Sequence, residues 1–94
     1  MAPGQLAGHY APSKPLRLGA IKAAEDEFLI GFGDVEGDAS LSPSGDLIEA
    51  AARLFELLHL ADLSPKRRIG VAPVPDEGIG IAINDRLSRA AAAM

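Results

Sequence analysis

The side chains of this chain that could take part in chemistry are few and widely spaced. The two histidines, His9 and His59, are fifty positions apart, and no carboxylate joins either of them in the spacing of a metal site. The chain has no cysteine, which excludes thiol nucleophiles, zinc ribbons and disulfide frameworks. Tyr10, next to His9, adds an aromatic ring and one hydrogen-bond donor. The sequence therefore predicts neither a metal centre nor thiol chemistry.

Two glycine pairs follow apolar stretches, where a phosphate group could bind. In the first, residues 31–33, the third glycine of a dinucleotide fingerprint is replaced by Glu36 and no helical pattern follows, so nucleotide binding is not predicted there. In the second, Gly78, Ile79 and Gly80 open a predicted helix whose free N–H groups could hold an anion. The favoured alternative is that these glycines let the helix pack close to the sheet.

The charge of the chain argues against a general nucleic-acid-binding role. Its net charge is −4 and its pI is about 5.0, which repels polyphosphate at long range. The basic run at residues 66–68 could contact RNA phosphates, but a solvated turn before a strand is favoured. The acidic run at residues 25–27 is likewise interpreted as a solvated turn rather than as part of an acid–base pair.

The hydrophobic pattern predicts an α/β domain with a small, mostly parallel sheet flanked by helices. Asp85 and Arg89, one turn apart in the second predicted helix, are expected to pair. The strand order is not determined by this pattern. The predicted elements are strands at 16–18, 28–33, 39–42 and 69–75, a turn or two of helix within 20–27, and helices from 45 to about 63 and from 78 to 90.

The first long helix has the clearest period. Ser42 or Ser44 is predicted to cap it, since no Gly-x-Ser-x-Gly elbow or nearby histidine supports a nucleophilic serine. Glu49 and Arg53 are spaced to pair across one turn. The residues predicted to form its buried stripe are Leu47, Ile48, Ala51, Leu54, Phe55 and Leu58.

The first fifteen residues differ from the rest of the chain. They hold three prolines and two glycines and have no sustained apolar period, which predicts an extended arm or linker. They also have neither a basic start nor the apolar core of a signal peptide, and no part of the chain has the length of apolar sequence that spans a membrane. With 94 residues the chain fits one domain, and a cytoplasmic location is expected.

Three segments, in this order, resemble one protein family. They are residues 3–12, which contain Pro-Gly and His-Tyr-Ala-Pro, residues 41–47, Leu-Ser-Pro-Ser-Gly-Asp-Leu, and residues 71–75, Val-Ala-Pro-Val-Pro, which run on to Ile-Asn-Asp-Arg-Leu at 83–87. Together they make the chain similar to the C-terminal domain of two-domain threonylcarbamoyl-AMP synthases, whose catalytic part is a YrdC-like domain. The resemblance extends from Pro3 to about Ala90.

The resemblance implies a role in tRNA modification. The whole enzyme of this family joins threonine, bicarbonate and ATP into threonylcarbamoyl-adenylate and releases pyrophosphate. The chemistry belongs to the YrdC-like domain, so this chain would be a domain of a longer polypeptide and non-catalytic when isolated. Residues 1–15 would be a linker and lid arm, and residues 16–94 a small Rossmann-like, three-layer accessory domain.

The resemblance also assigns residues to the arm. The linker of the family lies over the catalytic pocket, where closure would keep water from a reactive mixed anhydride. At positions 6–8 this chain lacks the lysine and arginine that many members carry, which favours closure over phosphate contact. The residues that would approach the nucleotide are Pro3, Gly4, His9, Tyr10 and Pro12.

The resemblance implies few ligands for the domain itself. ATP, with or without Mg²⁺, belongs to the catalytic domain, and no cofactor or metal is expected here. The expected partner is the N-terminal YrdC-like domain of the same polypeptide, any contact with tRNA being indirect and no membrane being involved. The alternative is a module that binds a nucleotide or RNA by itself, through the helix start at Gly78 or the basic turn at Lys66.

Overall fold

A computed structural model of the chain describes residues 12–92. Within this range four parallel strands form one sheet in the order β1-β4-β2-β3. The strands are β1 (Leu16–Leu18), β2 (Glu27–Gly31), β3 (Ala39–Ser40) and β4 (Arg68–Val71), and the helices are α1 (Leu47–Leu63) and α2 (Ile79–Ala92). The predicted α/β class and parallel sheet are confirmed. Neither helix of the described range has the length and apolarity needed to cross a membrane.

The centre of the sheet is built from β2 and β4. All five residues of β2 are buried, as its continuous apolar sequence predicts for a strand covered on both faces. Phe28 lies opposite Ile69 and Ile30 opposite Val71, so these four side chains share one face. Side chains from both helices join them in the hydrophobic core, which places α1 and α2 on that face of the sheet.

The first helix begins at Leu47, two residues later than predicted. Its N-cap is Asp46, whose side chain accepts a hydrogen bond from the Ile48 N–H, so the prediction of Ser42 or Ser44 as the cap is wrong. Ser42 instead lies fully buried, where its hydroxyl donates to Glu49 at 2.6 Å and accepts from the Asp46 N–H at 2.8 Å. Ser42 therefore fastens the loop before α1 to the first turn of the helix.

Two details of α1 differ from the periodic pattern. Ile48 and Phe55 are 73% and 40% exposed instead of buried. Apolar residues occur on nearly every side of this helix, so the period alone could not choose the side that faces the sheet. Glu49 and Arg53 do not pair, since Ser42 engages the former and the carbonyl of Ser40 accepts from the latter. The buried residues of α1 are Ala50, Leu54, Leu57, Leu58 and Ala61.

The pair predicted in α2 is present, with Arg89 Nε 3.1 Å from Asp85 Oδ2. The short helix predicted within residues 20–27 is absent, and the segment forms bends and a turn. The backbone of this segment bonds to two side chains on the face of the sheet opposite the helices. The N–H of Ala24 donates to Glu27, and the carbonyl of Lys22 accepts from Arg17. The connection between β1 and β2 thus crosses β4 on the face opposite the helices.

A buried carboxylate organises this second face. Glu27 is 3% exposed and accepts two hydrogen bonds from the Arg17 guanidinium, at 2.7 and 3.1 Å, and one from Ala24 at 2.7 Å. The bonds from Arg17 are the main reason that the pKa of Glu27 lies below its usual value. The carboxylate lies over Gly70 of β4, where an added Cβ would fall 2.8 Å from Glu27 Cδ. Because Gly70 has no side chain, the Glu27 carboxylate can lie over β4 and pair with Arg17, which joins β2 to β1.

We expect the substitution Gly70→Ala to destabilise the chain by about 1–3 kcal/mol, because the new methyl group overlaps the Glu27 carboxylate. Chemical denaturation of four proteins provides the test: the parent, Gly70→Ala, Glu27→Ala and the double variant. In the Glu27→Ala background the carboxylate is gone and the new methyl group has room. Gly70→Ala should therefore lower the free energy of unfolding clearly less in that background. Equal costs in both backgrounds would show that the two residues do not compete for this space.

The stability of the chain should fall in acid partly through Glu27. Its pKa is lowered by folding, so the contribution of this carboxylate is complete above the unfolded pKa of about 4.3 and is lost as the pH falls towards the folded pKa. We expect Glu27→Gln to lower the melting temperature at neutral pH and to flatten the acid limb of a melting-temperature series. Asp85→Asn, which removes an exposed pair, is the control and should change both far less.

Candidate functional site

The base of the N-terminal arm is fixed to the end of α1. The Ser13 N–H and hydroxyl both donate to Asp62 Oδ1 at 3.0 Å. The Lys14 ammonium donates to the carbonyls of Ala61 and Ser64, at 2.9 and 2.7 Å. We call residues 12–15 the anchor, since Pro12, their first residue, is buried. Residues 12–15 are therefore held against the compact part of the domain.

The anchor supplies hydrogen-bond donors to the carbonyl groups at the C-terminal end of α1. The last carbonyls of an α-helix have no partner within it, and a cation near them is favourable. The last turn of α1 contains no basic residue, and Lys14 supplies the charge from outside the helix. One residue later, the Pro15 carbonyl accepts from the Ile69 N–H at 2.9 Å, which continues the pairing between β1 and β4. The anchor thus joins the arm to α1 and to the sheet at once.

The predicted arm residues divide at Pro12. Pro3, Gly4, His9 and Tyr10 lie outside the described residues, so their approach to a nucleotide stays a prediction. Pro12 is buried at the start of the anchor. The division of the chain at residue 15 also stays a prediction, but residues 12–15 are bonded to the compact part. The pattern of prolines could not reveal this, because the partners of Ser13 and Lys14 are about fifty positions away.

The start of α2 shows why its glycines are needed. Gly78 has a φ of +54°, which favours glycine, and a Cβ on Gly80 would lie 2.0 Å from the Pro75 carbonyl oxygen. The N–H of Gly80 donates to the Glu77 carbonyl at 2.8 Å, and that of the next residue, Ile81, to the Gly78 carbonyl. Close packing thus accounts for Gly80. The anion site predicted at Gly78, Ile79 and Gly80 stays a prediction, and the N–H of Gly80 is already engaged.

The basic and acidic turns face each other. The Arg67 guanidinium pairs with the Asp26 carboxylate, which lowers the pKa of Asp26, and Arg68 donates to the Glu25 carbonyl at 2.7 Å. Asp26 has a φ of +60°, the left-handed conformation that places its carbonyl to accept from the Arg68 N–H. Both charged runs are therefore used to join the start of β2 to the start of β4.

Open hollows lie on the surface between these elements. Three open hollows of roughly 300–500 Å³ lie beside the β1–β2 connection, between β1 and α2, and beside β3. Residues 12–92 contain no group of three or more histidine, aspartate or glutamate side chains placed to hold a metal ion. Among the described residues, the anchor is the feature that adjoins the predicted arm.

The described residues form a small α/β domain in which residues 13–15 are bonded to the end of α1 and to the sheet. A family model described as threonylcarbamoyl-AMP synthase, C-terminal domain, matches residues 1–92. The chain belongs to this family, in which such a domain is one part of a larger synthase. Neither the curated proteins nor the solved structures searched contain a match. The family match includes both the arm and the compact domain.

We expect the anchor to be part of the folding unit. A chain shortened to begin at Leu16 should be less stable than one that begins at Pro12 by about 2 kcal/mol, since it lacks the bonds of Ser13 and Lys14 to the end of α1. Urea denaturation of the two shortened chains measures the difference. In the full chain, Lys14→Met should cost about 1 kcal/mol, whereas Lys22→Met, on an exposed lysine, is the control. Equal stabilities of the shortened chains would place the domain boundary at residue 15.

Proposed function

We propose that this chain is the accessory domain and active-site lid linker of a threonylcarbamoyl-AMP synthase. The complete enzyme would convert threonine, bicarbonate and ATP to threonylcarbamoyl-adenylate and pyrophosphate, for the modification of tRNA. The observation that carries the proposal is the family match over residues 1–92, which spans the arm as well as the folded domain. In this proposal the isolated chain has no catalytic activity.

The anchor supports a lid role for the arm. A lid closes reproducibly only if its base is held in place, and residues 13–15 are bonded to α1 and β4. Two of the three prolines of residues 1–15, Pro12 and Pro15, lie in the anchor and restrict the backbone at the base of the arm. Closure over the catalytic pocket would exclude water from the acyl-adenylate, a mixed anhydride that water hydrolyses.

The charged groups of the domain support the accessory role. The carboxylates whose pKa values are shifted, Asp26 and Glu27, are both bonded to arginines that hold the sheet together. Active sites commonly shift pKa values for catalysis, and here the shifts have a structural cause instead. The buried Ser42 has a carboxylate neighbour but serves the start of α1. Asp26, Glu27 and Ser42 are thus engaged in the architecture of the domain itself.

The lid role is tested in the two-domain polypeptide by replacing residues 1–11 with a Gly/Ser segment of the same length. The tether keeps its length, so only the sequence of the arm changes. We expect threonine-dependent release of pyrophosphate from ATP to fall at least about tenfold, as for loss of a positioning and closure element. His9→Ala and Tyr10→Ala should each reproduce part of the loss, and Leu6→Ala, a site without an assigned role, is the control.

Unchanged turnover after replacement of the arm would overturn the lid role. The accessory role is tested on the isolated chain, which should not consume ATP with threonine and bicarbonate present. Titration of ATP, pyrophosphate and tRNA into the chain, followed by amide NMR, addresses the alternative function. Saturable shifts confined to the start of α2 or the turn at residues 66–68 would favour a separate binding module.

A further inference from the structure

The outer sides of α1 and α2 carry an apolar surface that the core does not use. Ile48 and Phe55 on α1 are 73% and 40% exposed, and Ile79 on α2 is 43% exposed. Ile48 and Phe55 are seven positions apart, as are Ile79 and Arg86, so each pair lies on one side of its helix two turns apart. We call these four residues the helix-pair face.

Two contacts show that the two sides adjoin. The Leu47 side chain lies 3.5 Å from the position of a Cβ on Gly80, which brings the starts of the helices together. Two turns further on, the Arg86 guanidinium lies over the Phe55 ring at 4.8 Å. Ala52 and Ala82, both exposed, occupy the intervening turns of the same sides. The two sides of the helix-pair face therefore meet at Phe55 and Arg86, and small residues occupy the turns towards Ile48 and Ile79.

Arg86 lacks an acceptor on this surface. Its Nη1 atom is buried, yet no atom of residues 12–92 accepts a hydrogen bond from it. The three ion pairs formed within the described range do not include Arg86 either. A buried donor without an acceptor is costly, and such groups are nearly always satisfied in the assembled protein. An arginine stacked on an aromatic ring among apolar residues is also the composition of an interface hot spot.

We infer that the helix-pair face is the docking surface for the N-terminal catalytic domain of the same polypeptide. That domain would place a carbonyl or carboxylate oxygen against Arg86 Nη1 and apolar side chains over Ile48 and Ile79. The inference rests on the proposed function, because it takes its partner from the two-domain synthase. It adds the face of this domain by which the partner is held.

The chemistry of the face selects this occupant over two others. In a symmetric pair of identical chains the same patch supplies both surfaces, and none of the side chains named on the helix-pair face has an oxygen that could accept from Arg86. The nearest carboxylate along the chain, Asp85, is paired with Arg89. RNA is disfavoured because the face offers one cation among apolar side chains in a chain of net charge −4. A different protein surface with an oxygen acceptor meets the need of Arg86.

The position of the anchor is compatible with this partner. The arm joins the domain at the C-terminal end of α1, the helix that carries half of the face. The chain ahead of Pro12, residues 1–11, spans at most about 36–40 Å when extended, and a helix of 17 residues is about 25 Å long. A domain attached ahead of the arm can therefore cover the whole face.

Isoleucine-methyl NMR with a soluble gadolinium chelate tests the inference, because the chain contains its own control. Ile21, which lies outside the face, is 71% exposed, nearly the same as Ile48, and Ile81 is 56% exposed. The relaxation caused by the chelate is measured in the isolated chain and in the two-domain polypeptide. We expect it to fall severalfold for Ile48 and Ile79 in the longer protein, with Ile21 and Ile81 nearly unchanged.

Variants of the two-domain polypeptide complete the test. Ile48→Lys should restore the exposure of Ile79, whereas Ile21→Lys should leave it protected, although each introduces one lysine at an equally exposed site. Unchanged exposure of Ile48 and Ile79 in the two-domain protein, or protection of Ile21 instead, would overturn the inference. So would a doubled mass of the isolated chain that Ile48→Lys abolishes, since the occupant would then be a second copy.

Failure of this inference is distinguishable from failure of the proposed function. Docking is measured by methyl exposure, and the lid role by pyrophosphate release after replacement of the arm. A polypeptide whose face stays exposed but whose turnover depends on the arm would retain the proposed function and lose only this surface. Protection of the face with unchanged turnover would instead retain the docking surface and reject the lid.

Discussion

The structure depends on one ion pair that crosses the sheet. Arg17 of β1 reaches over Gly70 of β4 to the buried carboxylate of Glu27 in β2. A parallel sheet cannot join neighbouring strands by a tight hairpin, and here the connection between β1 and β2 must also pass over β4. The ion pair and the Ala24 N–H fasten this connection without a helix. A glycine at position 70 is required because any side chain would occupy the place of the carboxylate.

The consequences of this pair extend to the arm. Because β1 is held against β4, the Pro15 carbonyl can meet the Ile69 N–H, and Lys14 comes within reach of the end of α1. Residues 14 and 15 are therefore held both by α1 and by the sheet. A family role as an accessory domain with an arm is consistent with this division, in which the folded part supplies a rigid base.

The two sides of the molecule have different tasks. On one side of the sheet no helix is present within the described residues, and the ion pair of Arg17 with Glu27 holds the β1–β2 connection in place. On the other, the helices bury one side against the sheet and leave Ile48, Phe55 and Ile79 towards solvent. A domain of 94 residues has a small core, so contact with a larger partner is a physically reasonable use for apolar surface that the core cannot cover.

The sequence by itself determined the α/β class, the buried central strand and the limits of both helices to within a few residues, because hydrophobic period, capping residues and prolines act locally. Three short segments of the sequence also indicated the family to which the chain belongs. Only the tertiary structure decided the strand order, the cap at Asp46, the exposed side of α1 and the anchoring of Lys14. The cap is a local contact of Asp46 with Ile48, for which Ser42 and Ser44 were equally suitable residue types. The other features depend on groups separated in the chain, such as Arg17 with Glu27 and Lys14 with Ala61, whose meeting no local pattern encodes.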